Sequence, residues 1–317
     1  MKLFHSLLYP LLGGLFCLSC SDDEQDTGTK QPTTAGEVTF GVDLTGFSTR
    51  VTQDGSSWND GDKIGTYVLD MKTLEPVTEA ANVPYVCSEE GASVSFTSTT
   101  PLKVQNDGTP VKFVACYPYN ADVRNFNYPV QLAAQERGST ACDLLYAATK
   151  EEYTYSPENE PHISLNFTHR LAKVILKFVN MEKEPLEVSD VRIEGMQTAA
   201  SFNIQTDVLT VDESSVATIN PYHNATTGFY EAIILPSALT DSYKVSFVLD
   251  DREKEWIFTN LDIALPQFHK GYSYTFALYI DDSGFVEMGR LENVDGGNSS
   301  APWEDGSSED GTAEGDK

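Results

Sequence analysis

The sequence predicts an all-β fold, built of sandwiches or barrels, from three observations. Apolar residues recur with a period of two in many short runs, Gly, Pro and Asp turn signals separate those runs, and no stretch carries an apolar helical stripe over three turns. β-Branched and aromatic residues fill most of the apolar positions, as a pleated, half-buried surface prefers. With 317 residues and 40% apolar side chains, the chain is long enough for two sandwiches with cores of their own.

At the N-terminus, Lys2 precedes an apolar run over residues 7–18 that is too short to span a bilayer and ends in Leu18-Ser19-Cys20. Residues 1–19 therefore read as a secretory signal, with the cut expected between Ser19 and Cys20. A small residue directly before a cysteine gives the run the form of a lipobox. The Cys20 thiol is then the expected site of a diacylglycerol anchor, holding the protein on a membrane rather than through it. The abrupt change to Ser21-Asp22-Asp23-Glu24 argues against an ordinary signal peptide with an incidental cysteine. Residues 20–36 continue without apolar periodicity and read as a flexible acidic tether.

The folded part opens with Val38, Phe40, Val42 and Leu44, which alternate with Glu37, Thr39, Gly41 and Asp43 as a half-buried strand does. Comparable runs lie at 64–69, 93–98, 111–117, 163–167, 174–179, 188–193, 229–235, 243–249, 256–258 and 272–280, with turn signals such as Asp60-Gly61, Asp107-Gly108 and Pro118 between them. The stretch 120–161 is rich in Tyr, Pro, Asn and Gln and is expected to hold long loops. The boundary is placed near His169, giving an N-terminal sandwich over 37–168 and a C-terminal one over 169–294. A last alternation appears at Phe285, Val286, Met288 and Leu291, before an acidic Gly/Ser-rich tail over 295–317.

A net charge of −27 argues against nucleic acid and anionic membrane surfaces as partners, because each phosphate contact needs a Lys or Arg. Solubility is the first reading of that charge, ahead of a cationic ligand. Besides Cys20, the mature chain holds Cys87, Cys116 and Cys142, which allow at most one disulfide and lack the spacing of a zinc site. His162, His169, His223 and His269 are scattered, and neither His-Glu-x-x-His, Gly-x-Ser-x-Gly nor a phosphate loop occurs. Asp54, Asp60 and Asp62 cluster, but Trp58 occupies a position where a calcium loop needs an oxygen ligand. No catalytic residues, metal or cofactor are expected. Acidic pairs such as Asp250-Asp251 read as turn chemistry.

Several short motifs, in order, carry a family likeness. Ser48-Thr49-Arg50 followed by Trp58-Asn59-Asp60-Gly61-Asp62-Lys63-Ile64-Gly65 resembles the opening of fimbrillin-like lipoproteins of the Bacteroidota. Further matches are Ala115-Cys116-Tyr117-Pro118-Tyr119, Phe167-Thr168-His169-Arg170-Leu171-Ala172-Lys173-Val174, Ile234-Leu235-Pro236, Phe268-His269-Lys270-Gly271-Tyr272 and Pro302-Trp303. The resemblance implies two transthyretin-like Greek-key sandwiches in tandem, in a subunit of a fimbria (pilus) or related adhesin. In that family a trypsin-like protease cuts after an arginine, the first strand leaves, and a neighbouring subunit's strand fills the groove.

Carried onto this chain, the resemblance makes Arg50–Val51 the candidate cleavage site and Val38, Phe40, Val42 and Leu44 the strand to be displaced. Phe285, Val286, Met288 and Leu291 are the candidate donor strand. The implied partners are neighbouring pilus subunits, the outer-membrane lipid through Cys20, and a host protein or glycan receptor. The acidic tail beyond the donor strand departs from a stalk subunit and leaves tip or anchor roles open. A surface lipoprotein that binds glycan without polymerising is the alternative, with Trp58, Trp256, Tyr117 and Tyr119 as candidate platform aromatics.

Overall fold

Two large sheets with alternating side chains organise the fold. The computed structural model describes residues 35–43, 58–261 and 265–292, apart from 79–80, 92, 137, 159 and 283–285, together with 304–305. The first sheet has eight strands in the order His162–Ser164, Thr39–Asp43, Ser93–Thr97, Val83–Cys87, Lys63–Asp70, Val111–Tyr117, Leu145–Ala148 and Thr168–His169. Its neighbours run antiparallel except for the first pair, which is parallel. The second sheet runs Tyr222–Asn224, Phe229–Ile234, Ala172–Asn180, Tyr272–Ile280 and Val286–Glu292, with a parallel pair at its centre, Ala172–Asn180 beside Tyr272–Ile280. Two three-stranded sheets complete the main layers: Ser189–Glu194 with Lys244–Leu249 and Arg252–Ile257, and Val208–Val211 with Ala199–Asn203 and Asn127–Gln131. No α-helix occurs among the described residues, and the all-β class is borne out.

Period-two geometry sorts the side chains into three cores. Along Val111–Tyr117, Val111, Phe113, Ala115 and Tyr117 enter one core, which also takes Val38, Phe40, Trp58, Phe96 and Phe167. Val114 and Cys116 point the other way, into a second core with Tyr67, Leu69, Tyr146 and Leu171. On Phe229–Ile234, Ala232 and Ile234 belong to a third core, with Val174, Phe247, Trp256 and Phe276, while Ile233 joins the second. The central strands are thus buried on both faces, which is why they read as nearly continuous apolar runs.

The second core binds sequence from both sides of position 168. Asn127–Gln131 pairs antiparallel with Ala199–Asn203, from Asn127 opposite Asn203 to Gln131 opposite Ala199. Buried Gln135 extends the contact: its amide nitrogen donates to the carbonyl of Ile233 at 2.7 Å and its oxygen accepts from the Ile233 N–H at 2.7 Å. A side-chain amide thereby satisfies a stretch of strand that lacks a backbone partner on that side. Arg170 adds a two-point pair with Asp207, at 2.6 and 3.1 Å, with its guanidinium 4.7 Å from the centre of the Tyr146 ring.

Most of the strands read from the sequence are present within a residue or two. The expected loop region over 120–161 differs, since it contains Asn127–Gln131, Leu145–Ala148 and the short 3-10 turn Ser139–Cys142. Its Tyr128, Val130 and Leu132 are buried at alternate positions, with Pro129 and Gln131 between them, and the proline masked the pattern. The expected strand over 163–167 is interrupted: His162–Ser164 and Thr168–His169 are separate, although Ile163, Leu165 and Phe167 all stay in the core.

Candidate functional site

The first strand sits inside the sheet, between two partners, rather than on its edge. On one side Phe40, Gly41, Val42 and Asp43 pair antiparallel with Phe96, Ser95, Val94 and Ser93. On the other, Thr39, Phe40 and Gly41 pair in parallel with His162, Ile163 and Ser164. The alternation read from the sequence holds here: Val38 and Phe40 are fully buried and Val42 is 3% exposed. Phe40 meets Tyr85 and Phe113 edge to face, with ring centres 4.8 and 5.8 Å apart. Burying three such side chains stabilises the fold by roughly 4–9 kcal/mol. That approaches the whole stability of an ordinary domain, about 5–15 kcal/mol.

Two local devices fit the strand to its groove. The buried Tyr85 hydroxyl donates to the Val38 carbonyl at 3.0 Å and accepts from the Leu102 N–H at 2.8 Å. Burial pushes its pKa up to about 12, so it remains a donor across the working range. Glycine supplies the second device. A Cβ on Gly41 would lie 2.5 Å from Nε2 of His162, whose ring leans across the strand and whose Nδ1 is 3.0 Å from Oγ1 of Thr39. The strand-like apolar run around Cys87 is present as Val83–Cys87, with Val83, Tyr85 and Cys87 buried and Pro84 and Val86 less so, but sequence reasoning missed the role of Tyr85. Tyr85→Phe leaves the Val38 carbonyl and Leu102 N–H without this partner. It is expected to cost about 1–3 kcal/mol in urea unfolding, and no measurable loss would show that the hydroxyl does not bridge the strand.

The C-terminal strand Val286–Glu292 pairs antiparallel with Tyr272–Ile280, from Val286 opposite Ile280 to Glu292 opposite Thr275, with an irregularity at Tyr279 and Ile280. Gly289 is buried there and receives the indole of Trp256: a Cβ would fall 2.0 Å from Cζ2. On its other side the strand has, among the described residues, a single bridge, Gly289 to Leu261. Val286, Met288 and Leu291 thus share a strand far in sequence from the first. Phe285 lies outside the described residues, as do Ser19, Cys20, Leu44, Arg50, Val51 and Asp54.

Three of the four aromatic residues considered as a glycan platform are core residues instead. Trp58 is fully buried, with Phe96, Tyr117 and Phe167 at 5.1, 5.2 and 5.6 Å. Trp256 is packed over Gly289, and buried Tyr117 donates its hydroxyl to Asp62 at 3.3 Å. Large apolar rings at strand positions were drawn inward by their burial energy. Tyr119 alone of the four is partly exposed, on the outer face of the first sheet beside Lys63, Pro84, Val86 and Thr97.

The structure does not gather the remaining candidate groups. His169 is buried in a pair with Asp143 at 2.9 Å, while His162 lies at the first strand and His223 stacks on Tyr230. Cys87, Cys116 and Cys142 are free thiols, the first two buried, and burial raises the pKa of all three. Among the described residues no three His, Cys, Asp or Glu side chains form a group that could hold a metal. Asp62 accepts from the Asn59 N–H at 2.7 Å, within its own turn.

This arrangement of sheets recurs in solved structures. A candidate cell adhesion protein from Bacteroides uniformis matches with a TM-score of 0.65 at 22% identity, covering 83% of this chain and 99% of its own. A second, from Bacteroides ovatus, matches at 0.60 and 14% identity over 84% and 97% of the two chains. At these identities the likeness is one of fold. The sequence matches the fimbrillin-like family over residues 49–303, and the chain belongs to that family. No protein with a curated description matches it.

Proposed function

We propose that this chain is a non-catalytic structural subunit of a fimbria or related cell-surface adhesin, matured by strand exchange. It is exported by the signal over 1–19, anchored to the outer membrane through Cys20, and cut between Arg50 and Val51. The two transthyretin-like sandwiches, over 37–168 and 169–294, form its body.

The observation that carries this reading is the first strand. Val38, Phe40 and Val42 fill a core groove between Ser93–Thr97 and His162–Ser164. A cut after Arg50 severs the strand's covalent link to the rest of the fold. Its departure leaves an apolar groove and two rows of unpaired backbone groups, a template for an incoming strand. The edge position of Val286–Glu292 supports its role as the donor to the next subunit. Family membership and the likeness to candidate cell adhesion proteins support a place at the cell surface. The alternative of a non-polymerising glycan binder is weakened by the burial of Trp58, Trp256 and Tyr117.

Limited trypsin digestion of the folded chain, followed by mass spectrometry and size-exclusion chromatography, tests the proposal. The expected result is selective cleavage after Arg50, followed by larger assemblies. A fully cleaved chain that stays monomeric at high concentration rules out strand exchange.

A further inference from the structure

The groove also constrains how an incoming strand must lie. Reading along the first strand, positions 38, 40 and 42 point into the core, 37 and 39 are exposed, and a side chain at 41 would have to displace the exposed His162 ring, whose Nε2 lies 2.5 Å from where its Cβ would fall. The native residues are Val38-Thr39-Phe40-Gly41-Val42. Within the C-terminal strand the run Val286-Glu287-Met288-Gly289-Arg290 repeats this pattern at four of five places: apolar, polar, large apolar, glycine.

Other alignments fail on elementary grounds. Shifting by one residue puts Glu287 or Gly289 where Phe40 sits and turns the apolar side chains outward. Shifting by two puts a side chain, Glu287 or Leu291, against the His162 ring, and in the second case also sets Arg290 in the Phe40 position. Reversing the strand about its glycine puts Arg290 in the deep Phe40 position and Glu292 in that of Val38, each a charge without a partner in an apolar core. The favoured alignment leaves one mismatch, Arg290 at Val42. That position, 3% exposed, is the last buried one among the strand's described side chains, and a long stem there can lie along apolar surface with its head directed past the strand's end.

We propose, resting on the strand-exchange reading above, that the groove takes the C-terminal strand of a second copy of this chain in one register and one polarity. Val286 replaces Val38, Met288 replaces Phe40 and Gly289 lies beside His162. The incoming strand runs in the direction of the one it replaces, antiparallel to Ser93–Thr97 and parallel to His162–Ser164. Gly289 thereby serves twice: in its own subunit it admits Trp256, and in the neighbour it admits His162.

Synthetic peptides spanning residues 285–292, titrated into the chain cut after Arg50, test this without altering the chain's own C-terminal strand. The native peptide is expected to bind saturably and to compete with the displaced segment. Met288→Asp in the peptide should weaken binding more than about tenfold, whereas Leu291→Asp, which falls where the displaced strand itself carries Asp43, should leave it within about twofold. Gly289→Val should weaken binding several-fold and recover in a chain carrying His162→Ala. Equal binding of the Gly289→Val and native peptides, or equal losses from Met288→Asp and Leu291→Asp, overturns the register while leaving strand exchange standing. No binding by the native peptide overturns both.

Discussion

Phe40→Ala is expected to lower the stability of the uncut chain by about 3–5 kcal/mol, measured as a drop in the urea midpoint at unchanged slope. The ring is fully buried, meets Tyr85 and Phe113 edge to face, and lies on a strand bonded on both sides. Neighbours fixed by two sets of backbone hydrogen bonds collapse poorly into the space it leaves, so the loss belongs to the cavity-forming end of the range. The same substitution should speed exchange of the first segment after cleavage, because the segment is then held by its side chains and hydrogen bonds alone. A loss below about 1 kcal/mol would show that the groove is stable without its largest side chain, and strand release would no longer be costly.

Lys173→Ala is expected to be as damaging, about 3–5 kcal/mol, for a different reason. The Lys173 ammonium is 2.5 Å from Oε2 of Glu231, with the two side chains 2% and 11% exposed, and Asn224 donates to the other Glu231 oxygen at 2.9 Å. The register explains the meeting. Lys173 lies opposite Ile233, two residues from Glu231 on the same strand and face, so its long side chain reaches the carboxylate diagonally. Removing the cation leaves a buried carboxylate without its ion partner, whereas removing both charges does not. Lys173→Met with Glu231→Leu should therefore recover most of the loss of Lys173→Met alone. Equal destabilisation of the single and double variants would show that packing, not the buried charge, sets the cost.

The candidate site was legible in part. Val38, Phe40 and Val42 declared themselves by strict alternation, and the structure buries all three. Tyr85 did not, because a hydroxyl that bridges the Val38 carbonyl to the Leu102 N–H is defined by two distant segments. Nor did the roles of Gly41 and Gly289 emerge, since each glycine answers a ring, His162 or Trp256, that its own strand does not contain. The aromatic residues considered for ligand binding misled for a related reason: a sequence shows that a ring is present but not which face of the sheet it joins. Gln135 reads as a loop amide, yet it completes the backbone pairing of Ile233, far along the chain.

By itself the sequence determined the class of fold and most of its strands, because a period of two and the absence of a helical stripe are local properties of the chain. It also determined which side chains of the first strand face inward. The tertiary structure alone decided which strands become neighbours. Thr39–Asp43 lies between Ser93–Thr97 and His162–Ser164, and Ala172–Asn180 runs parallel to Tyr272–Ile280. Asn127–Gln131 crosses to Ala199–Asn203 over a shared core. Alternation specifies a buried face but carries no address for the partner, so pairing is settled by how the three cores close together.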